Sequence, residues 1–230
     1  AVALKAPIAS PVFTGNVGVG GSPSAHLSVN SSDSQTKINI TDSTTGATAT
    51  DGLLLQSGAA NAYLWNYEAG NLIVGNSNAE AMRINSVGIV TKPLQPAFCA
   101  NANIQSNMGL NSWQHILFAN ERFDQNHDFA SSTFTAPVTG KYQLQVSVRL
   151  DNVDSSTQYY QVRIATSNRA YHTICDFDRM SGDPSYWNLN NAVLVDMDAG
   201  DTCQIQFIQA SGSSQTDIDG ESYFSGYLVA

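Results

Sequence analysis

The sequence predicts an all-β protein, with an N-terminal β shaft of short strands followed by a jelly-roll β-sandwich. Three observations predict it. Apolar residues alternate with period two, as in Tyr142-Gln-Leu-Gln-Val-Ser-Val148 and Cys203-Gln-Ile-Gln-Phe-Ile208, which places every second side chain on one face of a strand. Clusters of Gly, Asn, Asp, Ser and Thr separate these runs. No segment carries a sustained apolar stripe at helical spacing.

Residues 1–95 are read as the shaft. Short alternations occur at Leu27-Ser-Val29, Ile38-Asn-Ile40, Leu53-Leu-Leu55, Tyr63-Leu-Trp65-Asn-Tyr67, Leu72-Ile-Val74, Met82-Arg-Ile84 and Val87-Gly-Ile89. Residues 30–34, 42–46, 68–71 and 75–78 carry turn chemistry. A weak, irregular repeat links residues 15–20, 70–75 and 85–90. Strands this short bury little surface alone and leave open edges. Several copies packed together would let each apolar row meet its equivalents.

Two segments carry a resemblance. Leu4-Lys-Ala-Pro-Ile-Ala-Ser-Pro-Val-Phe-Thr-Gly15 resembles a segment common in phage tail fibres, and Ala81-Met-Arg-Ile-Asn-Ser-Val-Gly-Ile-Val90 more loosely resembles the ends of their shaft modules. The resemblance implies a virion protein assembled in a host cytoplasm, with other virion tail proteins and a host cell-surface glycan or protein receptor as partners.

Residues 96–230 carry longer strands. They are expected near 97–101, 113–118, 133–135, 141–150, 158–165, 170–176, 187–195, 202–209 and 223–229, with tight turns at 137–140 and 198–201. Such a series of strands with turn signals and no helices points to a sandwich or jelly roll. Phe134-Thr-Ala-Pro137 with Gly140-Lys-Tyr142, then Val193-Leu-Val-Asp-Met-Asp-Ala-Gly-Asp201, then Ser222-Tyr-Phe-Ser-Gly-Tyr-Leu228 resemble, in order, the globular head of the C1q and tumour-necrosis-factor superfamily. That resemblance implies a C1q/TNF-like jelly roll assembled as a homotrimer.

Composition narrows the partners. Charged residues are only 13% of the 230, about half the usual roughly 25%. The net charge is −9 and the pI about 4.6. The 10 Lys and Arg are scattered singly, so neither a phosphate-neutralising groove for nucleic acid nor attraction to an anionic membrane is expected. No apolar run nears the roughly 20 residues of a spanning helix, so no membrane insertion is expected. No basic stretch leads into an apolar one at the start, so no signal peptide is expected, and Ala1 in place of Met leaves room for upstream sequence. Cys99, Cys175 and Cys203 are odd in number and far apart, which suits reduced thiols in core positions.

Strand parity places the binding surface. Antiparallel strands run alternately up and down. Short loops at 137–140, 166–169 and 196–201 should therefore share the shaft end, and long loops at 151–157, 177–186 and 210–221 the distal tip. Receptor-binding candidates follow in those tip loops: Asp151, Asn152, Asp154, Asp178, Arg179, Asp183, Tyr186, Trp187, Gln215, Asp217 and Asp219. Asp176 and Glu221 add to the acidic tip. Carboxylates gathered on an axis repel unless paired, with Arg179 or a cation as the expected partner. Calcium takes six to eight oxygens, so three copies of Asp217 and Asp219 would be a composite site, and Ca²⁺ is the one cofactor considered. Tyr171, Tyr186 and Trp187 offer faces for sugar rings.

No catalytic pattern emerges. His26, His115, His127 and His172 lack zinc spacing; no Gly-x-Ser-x-Gly elbow or phosphate-cradling glycine loop occurs. Glu121 and His127-Asp128 are read as a polar loop. The sequence argues for a binding protein, not an enzyme. The other readings are a purely structural trimerising cap, a secreted C1q-like lectin or adhesin, and a polysaccharide depolymerase, for which the first half is too short and irregular to form a long parallel β-helix.

Overall fold

The computed structural model describes residues 17–19, 27–177 and 180–230, so the segment at residues 4–15 and half of the first repeat copy lie outside the described residues. The chain divides into two compact units, Ala1–Lys92 and Pro93–Ala230. Among the described residues every helical or extended element is a strand.

In the first unit β1 (Val17–Val19) and β2 (Leu27–Val29) pair in parallel. Strands β3 (Gln35–Ile40), β4 (Leu53–Gly58) and β5 (Asn61–Asn66) form one antiparallel sheet. Strands β6 (Leu72–Asn76), β7 (Ala79–Ile84) and β8 (Val90–Thr91) form another. Ser77 and Asn78, both at positive φ, make the tight turn between β6 and β7, as a two-residue hairpin requires. The expected strand at 87–89 is a turn instead. The Asn85 carboxamide accepts from the Val87 and Ile89 amides at 3.0 and 2.9 Å, and Gly88 sits at φ 85°. This side chain takes donors that a strand would have used. Leu54 is the one buried large apolar side chain among the described residues of this unit, while Ile40, Leu55, Leu64, Trp65 and Ile73 are exposed.

The second unit is a two-sheet sandwich. One sheet has the order β11 (Asn120–Asp124), β9 (Ala97–Asn101), β20 (Tyr223–Leu228), β14 (Gly140–Asp151), β17 (Tyr186–Met197), with β19 (Asp217–Ile218) also on β14. The other has the order β12 (Phe129–Ala130), β13 (Thr133–Thr135), β18 (Thr202–Ala210), β15 (Tyr159–Thr166), β16 (Ala170–Cys175), with β10 (Gln114–His115) on β18. Inward residues alternate strictly: Tyr142, Leu144, Val146, Val148 and Leu150 from β14 meet Tyr160, Val162, Ile164, Ile205 and Phe207 from the facing sheet. Phe98 stands at the core's centre, stacked 4.8 Å from both Phe129 and Phe134 and edge-on to Phe224 at 4.9 Å. Gly226 interrupts the apolar run of β20 because a Cβ there would come within 2.5 Å of Leu144 and 2.9 Å of Phe98.

Four strands of this unit differ from expectation. Only Gln114–His115 of the 113–118 segment is a strand, although Ile116 and Phe118 are buried. Residues 120–124, including Glu121, form edge strand β11 instead of a polar loop. Its polar sequence and a bulge between Glu121 and Phe123 erase the alternation that marks a strand. The short β12 and β19 were equally invisible. Cys203 is buried, whereas Cys99 and Cys175 are only partly so; all three are free thiols.

Candidate functional site

Parity holds through the sandwich. Loops 137–140, 166–169 and 196–201 meet at one end, where Ser167 and Asn168 donate to the Asp201 carboxylate at 2.8 and 2.7 Å and Ala199 N–H donates to Thr139 Oγ1 at 3.1 Å. Loops 151–157, 177–186 and 210–221 meet at the other.

Backbone conformation shapes the second end. Asn152 and Ser211 adopt positive φ, as does Gly212 at 83°. A Cβ on Gly212 would fall 2.2 Å from Asp154 Oδ2, so only glycine lets the 210–221 loop close on the 151–157 loop.

Asp154 joins them. It is 3% exposed and accepts from the Ser156 amide at 2.8 Å, the Ser156 hydroxyl at 2.6 Å, and the Ser213 amide. Burial pushes the carboxyl up, but the bonds from Ser156 and Ser213 outweigh it and hold it below the ordinary aspartate value. Beneath it, Tyr160 Oη accepts from the Asp154 amide at 2.8 Å and lies 2.7 Å from the Thr216 hydroxyl. Asp183 brings in the third loop. It accepts from the Ser155 amide and hydroxyl at 2.9 and 2.7 Å and from the Gln215 carboxamide at 3.0 Å. These bonds, the Ser155 hydroxyl first, lower its pKa.

A second network flanks the first. Arg149 donates to both Asp151 oxygens at 2.9 and 3.2 Å and lies 3.6 Å from Asp219. The Asp151 contact, foremost, raises the Arg149 pKa. The exposed Tyr186 ring lies 5.7 Å from the same guanidinium. Asp217 accepts from the Asn152 carboxamide at 2.8 Å and the Asn107 amide at 2.7 Å.

Of the predicted residues, the structure gathers Asp151, Asn152, Asp154, Asp183, Tyr186, Gln215, Asp217 and Asp219 at this end. Asp178 and Arg179, with the pairing expected of Arg179, lie outside the described residues; Arg149 pairs with Asp151 and approaches Asp219. Trp187 lies opposite Leu150 on β17, edge-on to Phe177 at 5.2 Å, and stays 39% exposed; Tyr171 packs against the core, and Tyr186 is the more exposed ring at 67%. Among the described residues no three His, Cys, Asp or Glu side chains cluster as metal ligands. Within one protomer Asp217 and Asp219 are engaged by protein donors.

Sequence reasoning missed Arg149 and the loop at 102–113. Parity could have found that loop, because it follows a strand rising to this end. It is tied there by Gln105 to Ile218, by the Met108 amide to the Thr216 carbonyl at 2.8 Å, and by Asn107.

Asp154→Ala is expected to cost about 1–3 kcal/mol, since it strands buried donors, read as a lower midpoint in denaturant. The carboxylate's contribution is complete above the ordinary aspartate range near ~3.9 and is lost as pH falls through its lower folded value. Wild type should therefore lose stability in that acidic window more steeply than the variant.

The outer face of the first sheet is different in kind. Phe123, Tyr223, Tyr227 and Leu194 are exposed there, with Cys99, Gln143, Gln145, Ser147 and Ser225 between them by register. Gln, Ser and Cys side chains fill these central rows, with Arg122 at their margin, donating to Asn101 Oδ1 at 2.6 Å. A shallow, largely apolar recess of about 310 Å³ is lined by Ala97, Phe98, Phe123, Gln143, Gln145, Ser225, Gly226 and Tyr227.

Comparison with known proteins agrees with this architecture. The C1q domain family matches residues 97–229. The globular domain of zebrafish complement 1qA is similar at 19% identity, covering 59% of this chain and 98% of that one, with a TM-score of 0.44. Murine APRIL at pH 8.5 is similar at 12% identity, covering 59% and 99%, with a TM-score of 0.43. No curated protein sequence matches. Domains of the C1q family form homotrimers. The match to residues 97–229 spans more than half the sequence, and the chain belongs to the C1q domain family, whose members are generally non-enzymatic binding and trimerising modules.

Proposed function

We propose that this chain is a homotrimeric attachment protein, the distal part of a virion tail fibre, whose head binds a glycan or protein receptor on a host cell through its tip loops. The observation that carries the binding reading is the convergence of loops 151–157, 177–186 and 210–221 at one end, bound together by Asp154 and Asp183. Loops fixed in this way form a rigid surface, which lowers the ordering cost of binding. Three copies would act through avidity, so that contacts weak singly hold a particle. The uncharged, apolar face around Phe123, Leu194, Tyr223 and Tyr227 suits the seam between protomers. The shaft's exposed Leu55, Leu64 and Trp65 suit burial against the same residues of neighbouring copies. The tail-fibre assignment rests on the sequence of residues 4–15 and 81–90.

The test is adsorption of the fluorescently labelled trimer to a panel of bacterial cells and purified surface polysaccharides. Binding to at least one host is expected, and Tyr186→Ala combined with Gln215→Ala should reduce it about tenfold or more. Adsorption unchanged by these substitutions and by replacement of residues 210–220 would overturn the tip as the receptor face. Binding to no bacterial cell or polysaccharide would favour a purely structural cap.

A further inference from the structure

On the outer face of the second sheet, strand register builds a row that no local sequence pattern announces. Gln206 of β18 lies opposite His115 of β10 on one side and Arg163 of β15 on the other, and Arg163 lies opposite His172 of β16. Arg163 Nε donates to Gln206 Oε1 at 2.7 Å. This fixes the carboxamide, so its nitrogen faces His115 Nε2 at 3.0 Å and donates to it. His115 thus carries its proton on Nδ1. Trp113 completes the group: the Arg163 guanidinium carbon lies 3.9 Å from its ring centroid, and His172 meets the ring at 5.7 Å.

Among the described residues no carboxylate compensates the charge on Arg163. Arg83, Arg149 and Arg169 each pair with a carboxylate, and the exposed Arg122 donates through Nε to Asn101 Oδ1. Among the described residues Arg163 has no carboxylate partner, and Gln206 Oε1 is its one hydrogen-bond acceptor. Burial moves its pKa down, whereas hydrogen bonds from Arg83 to Glu80 and from Arg149 to Asp151 move theirs up. In a chain of net charge −9, a half-buried guanidinium with its terminal N–H groups unused stands apart.

We infer that Trp113, Arg163 and His172, steadied by Gln206 and His115, form a binding site for a single oxyanion borne on a sugar ring, as in a carboxylated or sulfated saccharide. The guanidinium fork matches the planar or tetrahedral oxyanion. The half-exposed indole beside it offers apolar surface to the C–H face of the sugar. One permanent cation suits an isolated charge. A dense polyanion such as nucleic acid would meet only that cation and a net repulsive field. The site lies on a sheet face and uses none of the tip-loop residues, so it stands or falls independently of them.

The full chain labelled with ¹⁵N tests it directly. Glucuronate and glucose 6-sulfate should each shift the Arg163 Nε and Trp113 Nε1 signals saturably, with a dissociation constant on the order of millimolar. Inorganic sulfate should compete, and glucose should leave both signals in place. Arg163→Gln should weaken binding about tenfold or more, and Arg163→Lys, which keeps the charge but loses the fork, should weaken it less. A wild-type protein whose signals answer to neither sugar anion overturns the site, whatever the variants do. So does an equal response to glucose, or R163Q binding as tightly as wild type.

Discussion

Tyr227→Glu is expected to dissociate the proposed homotrimer, shifting sedimentation to a single species at the 24.6 kDa of one chain. Tyr227 is 53% exposed in the protomer, between Ala97 and Gln143 by register, with Leu194 beyond. In a seam between three copies, each substitution would bury a carboxylate with no cation among these neighbours. Leaving one buried charge unpaired costs several kcal/mol, and symmetry would repeat it three times. The sandwich core lies on the opposite face of β20, so far-UV circular dichroism should retain its β signature. A trimer that survives Tyr227→Glu at micromolar concentration would place the seam on another surface.

Phe98→Ala should be the most damaging single truncation of the fold, lowering stability by about 3–5 kcal/mol. Its ring contacts Phe129, Phe134 and Phe224, which come from both sheets, and it is 1% exposed. Removing it leaves a void bounded by rigid aromatic rings that cannot collapse inward. Phe123→Ala is the control, since that ring is 53% exposed on the far side of the same sheet. It should cost far less in a dilute protomer while weakening assembly. Equal losses from the two, measured by urea titration below the assembly threshold, would mean that the Phe98 stack does not hold the sheets together.

The two residues also show how far the sequence could be read. Phe98 belongs to an apolar run, Ala97–Ala100, that announces a strand. Phe123 sits in Asn-Glu-Arg-Phe-Asp, where polar residues occupy both faces of an edge strand and a bulge shifts the register. Period-two alternation reports a strand only where one face is buried and the other wet. The converse holds at 113–118, where the apolar residues announce a strand, yet Ile116 and Phe118 are buried in a segment of which only Gln114–His115 is strand.

Parity alone put the three long loops together at one end of the sandwich, because each antiparallel strand reverses direction. It could not say which carboxylates would be spent on the loops themselves. Asp154 and Asp183 were read as repelling charges; backbone amides and Ser hydroxyls satisfy them instead. These donors come from residues up to 59 positions away. Nor could parity say that Trp187, while 39% exposed, would also set one edge against Phe177.

By itself the sequence determined the class of fold, the principal strands of the sandwich and the end at which each of its principal loops lies. Those properties are local: hydrophobic alternation fixes a strand and its buried face, and counting reversals fixes direction. Only the tertiary structure decided which side chains became neighbours. His115 and Gln206 are 91 residues apart, and Gln206 and Arg163 are 43, yet ladder register across four strands sets them in one row. That register is a property of the packed sheet, decided by the whole core at once and by no segment alone.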